Sequence, residues 1–96
     1  MVDAVNAAGG AWQLSDLESY RVIEREPLRF AYRGATITAA ALPSAGGVAL
    51  AQVFGILGHF PVGDAHDPRT AHLVVEALRR AFRDRSLLGD PDHVPI

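Results

Sequence analysis

Ser44, Gly46 and Gly47 stand in the stretch LPSAGGVALAQVFGIL, residues 42 to 57, and are of types that could attack a carbonyl or hold an anion. Backbone N–H groups at a glycine-rich helix start can bind phosphate, and a serine at a strand-to-helix bend can be a nucleophile. Neither pattern is completed. A phosphate loop needs Lys and then Ser or Thr after its second glycine, where Val48-Ala49 stands, and the dinucleotide spacing G-x-G-x-x-G also fails. A nucleophile elbow needs glycine two residues before the serine, where Leu42 stands. The stretch therefore reads as a structural turn into a buried helix, with Ser44 as its N-cap.

Two loops gather acids and histidines: GDAHDP (63 to 68) with Asp64, His66 and Asp67, and GDPDHVP (89 to 95) with Asp90, Asp92 and His93. Neither follows the spacing of a calcium loop or of H-E-x-x-H. Asp before Pro is ordinary turn and N-cap chemistry, so both read as turns and no metal ligand is assigned. His72 falls close to an apolar stripe and reads as a packing residue. Arg79, Arg80, Arg83 and Arg85 form a basic patch, but Glu76 lies three and four residues ahead of the first two. That spacing pairs charges on a solvated helix face.

These residues need elements to hold them. Asp3 to Ala8, stopped by Gly9-Gly10, reads as the end of a helix with a glycine C-cap. Ser15 and Glu18 have capping-box spacing for a short helix through Tyr20. Residues 21 to 26 read as extended. Residues 28 to 41 alternate apolar and polar types about Arg33-Gly34, a β-hairpin pattern. The run from Val48 to Leu57 is apolar almost all round, as in a helix packed on several sides, and defines a helix over about 46–58. Asp67-Pro68 opens a second main helix over 68–85. Its predicted buried stripe is Ala71, Val74, Val75, Leu78 and Phe82.

Composition narrows the classes. Ninety-six residues make one small domain at most, yet 49% are hydrophobic and the mean hydropathy is +0.12. Some of that apolar surface expects a neighbour. Net charge is −2, so neither nucleic acid nor an anionic membrane is implied as a partner. All nine basic residues are Arg. There is no cysteine, which removes disulfides, thiolate metal sites and a Cys nucleophile together. MVDAVNAAGG lacks the basic start and apolar core of a signal peptide. The longest apolar stretch falls short of a membrane span.

Taken in order, GG, LSDLESY, EREPLRFAYRG, PSAGG, His72 and EALRRAFRDRSLLGDPDH resemble the γ-glutamyltransferase (γ-glutamyltranspeptidase, glutathione hydrolase) family. The matches include Gly9-Gly10, Asp16-Leu17, Tyr20, Arg25, Pro27, Tyr32-Arg33-Gly34, Glu76-Ala77, Asp84-Arg85 and Gly89 to Asp92, and run from about residue 9 to residue 92. The loop departs from the family's usual P-P-P-S-S-G-G, since Ala41-Leu42-Pro43-Ser44-Ala45 precedes Gly46-Gly47 here.

The resemblance implies an α+β fragment of an N-terminal nucleophile hydrolase αββα sandwich. Residues 1–96 would form a single partial domain, the C-terminal part of a large subunit. The family's T-T-H stretch, which carries the nucleophilic Thr of the small subunit, is absent, and Thr36, Thr38 and Thr70 do not stand in its context. No catalytic, cofactor-binding or metal-binding residue is thus assigned to this chain, and no cofactor is implied. The implied role is scaffold for an enzyme that hydrolyses or transfers γ-glutamyl groups of glutathione and related amides. Its partners would be the remainder of the large subunit and the small catalytic subunit. For the full-length protein the resemblance implies a periplasmic or secreted place. The alternative is a free-standing α+β binding module that reuses the scaffold.

Overall fold

A computed structural model describes residues 1–95. The elements run α1 (Val2–Ala7), α2 (Leu14–Ser19), β1 (Leu28–Tyr32), β2 (Ala35–Ala39), α3 (Ala45–Leu57) and α4 (Pro68–Arg85). β1 and β2 pair antiparallel with Leu28 opposite Ala39 and Tyr32 opposite Ala35. Only Arg33 and Gly34 are left for the turn, with φ of 49° and 82°. Two successive positive φ values define the hairpin turn whose twist matches the strands, and Gly34 adopts its value without steric cost. The hairpin ends at Ala39, two residues short of the expected bound, and the next turn follows directly, with the Ser44 N–H donating to the Ala41 carbonyl.

One face of the hairpin packs on α3. Leu28, Phe30 and Tyr32 alternate with exposed Arg29 and Ala31, and the Phe54 ring lies 4.6 Å from Tyr32 and 6.2 Å from Phe30 between centroids. α4 also packs on α3, and Tyr32 of the hairpin reaches the same cluster. The contact of the two helices makes the core: Val53 and Leu57 from α3, Ala77 and Ala81 from α4, with Ala49, Ile56, Val62, Leu73 and Val74 partly buried around them. Burying Val53 and Leu57 contributes about 1.5–3 kcal/mol each. Among the described residues, no large side chain is fully buried.

The chain is extended for its mass. Its radius of gyration is 18.7 Å, against roughly 13 Å for a compact domain of this length. Its accessible surface is 7394 Å², where a compact monomer of this mass has about 5,400 Å². No residue of α1 or α2 is buried.

Several local expectations shift. α1 ends as the glycine pair predicts, with Gly9 N–H donating to Asn6 and Gly10 N–H to Val5. The box at α2 is built by Gln13 and Asp16, not Ser15 and Glu18: Gln13 is the N-cap, and Asp16 Oδ2 accepts its N–H at 2.8 Å. A carboxylate three residues on reaches back as well as the expected Glu would. Residues 21–26 join no strand. α3 is not packed all round, since among its residues only Gly47, Val53 and Leu57 are buried and Leu50 is 46% exposed.

The largest correction concerns α4. Its bounds are those expected, and Asp67 caps it by accepting the Arg69 N–H at 2.9 Å with Pro68 beside it. Its buried residues, however, are Thr70, Ala77 and Ala81. Most of the predicted stripe faces outward: Val75 is 53%, Leu78 39% and Phe82 57% exposed. Small side chains let the two helices approach closely, so the smaller apolar face took the contact with α3.

Candidate functional site

The turn before α3 is built for packing. Ser44 holds the N-cap position, but its hydroxyl makes no capping hydrogen bond and stays exposed. The expected bond is therefore absent although the position is right. Gly46 and Gly47 lie inside the first turn of α3 rather than in the loop. A Cβ on Gly47 would overlap the Ala40 carbonyl oxygen and come within 3.0 Å of the Ala39 Cβ, whereas Gly46 has open space. Gly47 is needed so that the helix start can rest on the end of β2. The turn's observed chemistry is that of close approach.

The loop before α4 is likewise self-satisfied. Asp64 Oδ1 accepts the His66 N–H at 2.7 Å, and Thr70 Oγ1 accepts the Gly63 N–H at 3.1 Å. Thr70 is thus a buried tie between loop and helix, while Thr36 and Thr38 sit on the exposed face of the hairpin. His72 is exposed, contrary to its reading as a packing residue, and lines an open cleft of about 680 Å³ with Phe60, Pro61, Val62 and Leu73. The buried face of α4 runs through Thr70, Ala77 and Ala81, and helical spacing puts His72 on the opposite side. Among the described residues no three His, Asp or Glu side chains converge as a metal site.

The basic patch is paired as its spacing implied. Glu76 Oε1 accepts from Arg79 at 2.9 Å and Oε2 from Arg80 at 2.7 Å. Hydrogen bonds from Arg80 and then Arg79 hold the Glu76 carboxyl below its ordinary value, with their positive charge adding to the effect. Arg83 pairs with Asp84, and the Arg85 guanidinium lies 5.6 Å from the Phe82 ring centre.

Three ties were not legible as such. Gln52, alone polar in the apolar run, donates to Asp84 at 2.9 Å and so links α3 to α4, leaving its Oε1 buried without a partner. Arg33 donates to the Phe60 carbonyl at 3.3 Å and sits over the Tyr32 ring, joining the hairpin tip to the loop after α3. Arg25 donates to Asp90 at 3.0 Å and to Asp92. The only signal for these was a polar residue in an apolar run, or an arginine and an acid pair far apart in sequence. Neither names its partner.

Among the described residues, a hairpin and two main helices around a four-residue core form an α+β segment. Comparison with known proteins shows the larger fold to which it belongs. The family model described as Gamma-glutamyltranspeptidase matches residues 1–96. The crystal structure of Helicobacter pylori γ-glutamyltranspeptidase superposes with a TM-score of 0.86 at 32% identity, over 98% of this chain and 28% of that one. A glutathione hydrolase proenzyme of a Pseudomonas species (strain A14) is 37% identical over 98% of this chain and 17% of its own length. An acylase ACY 1 proenzyme of a Pseudomonas species (strain V22) is 38% identical over the whole chain and 18% of its own length. The chain belongs to the γ-glutamyltranspeptidase family, and it spans less than a fifth of the length of these curated relatives.

Proposed function

We propose that residues 1–96 are one partial domain that serves as scaffold in a γ-glutamyltransferase-type enzyme and contributes no catalytic, cofactor or metal residue of its own. The observation that carries this reading is the outward apolar face of α4, Val75, Leu78 and Phe82, on a chain whose surface exceeds that of a compact monomer by about 2,000 Å². Such a face is stable in water only when something covers it. The covering partners in this reading are the remainder of the large subunit and the small catalytic subunit. The whole enzyme would transfer or hydrolyse γ-glutamyl groups of glutathione or related amides. Its nucleophile would be a Thr outside this chain, whose own α-amino group can act as base. The relatives, a glutathione hydrolase and an acylase, bear names that describe amide cleavage, which supports that reaction class.

The test is direct. The purified chain is expected to release no p-nitroaniline from a γ-glutamyl anilide, and to bind an apolar dye or self-associate. Turnover that co-purifies with the chain and is lost on heating would overturn the assignment. A monodisperse, dye-silent monomer with a cooperative unfolding transition would instead favour the free-standing module, which no observation favours over the scaffold.

A further inference from the structure

Residues 1–27 are attached to the rest of the molecule in an unusual way. They bury no residue, and the hydrogen bonds of α1, α2 and the segment between them stay within residues 1–21. Among the described residues, every hydrogen bond that leaves this segment for the rest of the chain comes from one side chain. Arg25 Nη2 donates to Asp90 Oδ1 at 3.0 Å and to Asp92 Oδ2, across 65 and 67 residues of sequence. Its side chain is 20% exposed.

The receiving side is shaped for it. Asp90 Oδ1 also accepts the Asp92 N–H at 3.0 Å, and the Asp90 carbonyl accepts the His93 and Val94 N–H groups at 2.9 Å. This turn brings two carboxylates together just after α4. Like charges so placed repel unless a cation lies between them, and a guanidinium can bond both while screening each from the other. The segment, the Ala40–Pro43 turn and the Asp90–His93 turn wall a cleft of about 710 Å³, with Arg25 and Asp90 both in its lining.

We propose that Arg25 is a latch. Its guanidinium, clasped by Asp90 and Asp92, docks residues 1–27 onto the turn after α4 and closes that cleft. When the clasp breaks, the segment swings away as a unit while the hairpin, α3 and α4 keep their packing. The latch is ionic and one-fifth exposed, so added salt competes with it.

The experiment uses the full 96-residue chain. Cleavage by a Glu-specific protease after Glu24 reads the segment, and amide exchange at His93 and Val94 reads the turn. Arg25→Ala is expected to raise both roughly tenfold, while amides in α3 and α4 change less than about twofold, because local opening leaves the core intact. Arg25→Lys, a point charge without the planar fork, should fall between wild type and Arg25→Ala. Adding Asp92→Asn to Arg25→Ala should restore the turn amides by removing the repulsion and leave Glu24 open to cleavage. Raising salt should speed cleavage in the wild type and not in Arg25→Ala. Unchanged cleavage and exchange in Arg25→Ala would overturn the latch. So would a rise shared equally by α3 and α4, or wild-type α3 and α4 amides that are unprotected from the start, because a latch must join two folded parts.

Discussion

The two faces of α4 are both apolar, but they differ in side-chain size and in what covers them. The inner face presents Thr70, Ala77 and Ala81 to α3, and both alanines are fully inaccessible to solvent. The outer face presents Val75, Leu78 and Phe82 to solvent. Small residues suit the face where two helix backbones meet at close range, and large ones suit a face that must fill the wider gap to another layer. A helix that is apolar on two sides can pack against two layers, and α3 covers one side of α4.

Breaking the inner face should have the largest effect. Ala77→Asp would bury a carboxylate with no partner and is expected to cost about 3–5 kcal/mol, enough to dissolve the α3–α4 pair. Loss of helical signal at a lower urea concentration would register it. If Val75→Asp proved equally damaging, the distinction between the faces would collapse.

A milder test lies where α3 meets the hairpin. Gly47→Val forces a side chain against the Ala40 carbonyl and is expected to cost about 1–3 kcal/mol in chemical denaturation. Gly46→Ala, one residue earlier in open space, should cost nothing and can gain up to about 1 kcal/mol from helix propensity. Equal losses at the two glycines would mean that backbone freedom, not close approach, is what that turn requires.

The outer face sharpens the comparison from the other side. Val75→Ser combined with Phe82→Ser should change the unfolding free energy of this chain by less than about 1 kcal/mol, near the range of ordinary surface changes. The same pair should markedly reduce dye binding and self-association, measured by fluorescence and sedimentation. A large loss of stability without any change in association would place those side chains in a core after all.

The smallest effect concerns Glu76. Its carboxyl is held low by Arg80 and Arg79, so its pairing stabilises the fold fully above the unfolded glutamate value of about 4.3 and less as pH falls through the lowered folded value. Glu76→Gln should therefore melt slightly below the wild type at neutral pH, and the gap should close in acid. A gap that widened in acid would contradict the pairing.

Much of the frame was legible in the residues. Asp67-Pro68 set the start of α4 because a carboxylate acceptor and a proline suit the first helical turn whatever surrounds them. Arg33-Gly34 located the hairpin bend, and Glu76 with Arg79 and Arg80 identified the solvated face. In the loop before α4, Asp64 and Asp67 make the turn and cap hydrogen bonds that the prolines and spacing implied. Ser44 and His72 were misjudged in detail, since neither a capping bond nor a helix's rotation about its axis is visible in spacing alone. The α4 stripe erred for the same reason. Periodicity finds an apolar face by the size and number of its residues, and Val75, Leu78 and Phe82 outweigh Ala77 and Ala81.

Local chemistry in the sequence by itself determined the order of the hairpin and the two main helices and the bounds of α4, together with the motifs that mark the family. Those depend on backbone preferences and on neighbours within a few residues. Only the tertiary structure decided which face of α4 meets α3, why Gly47 cannot carry a side chain, and that Arg25 closes on Asp90 and Asp92 from across the chain. Each of those is set by atoms that are distant in sequence and close in space, and the free energy of a contact belongs to both of its partners.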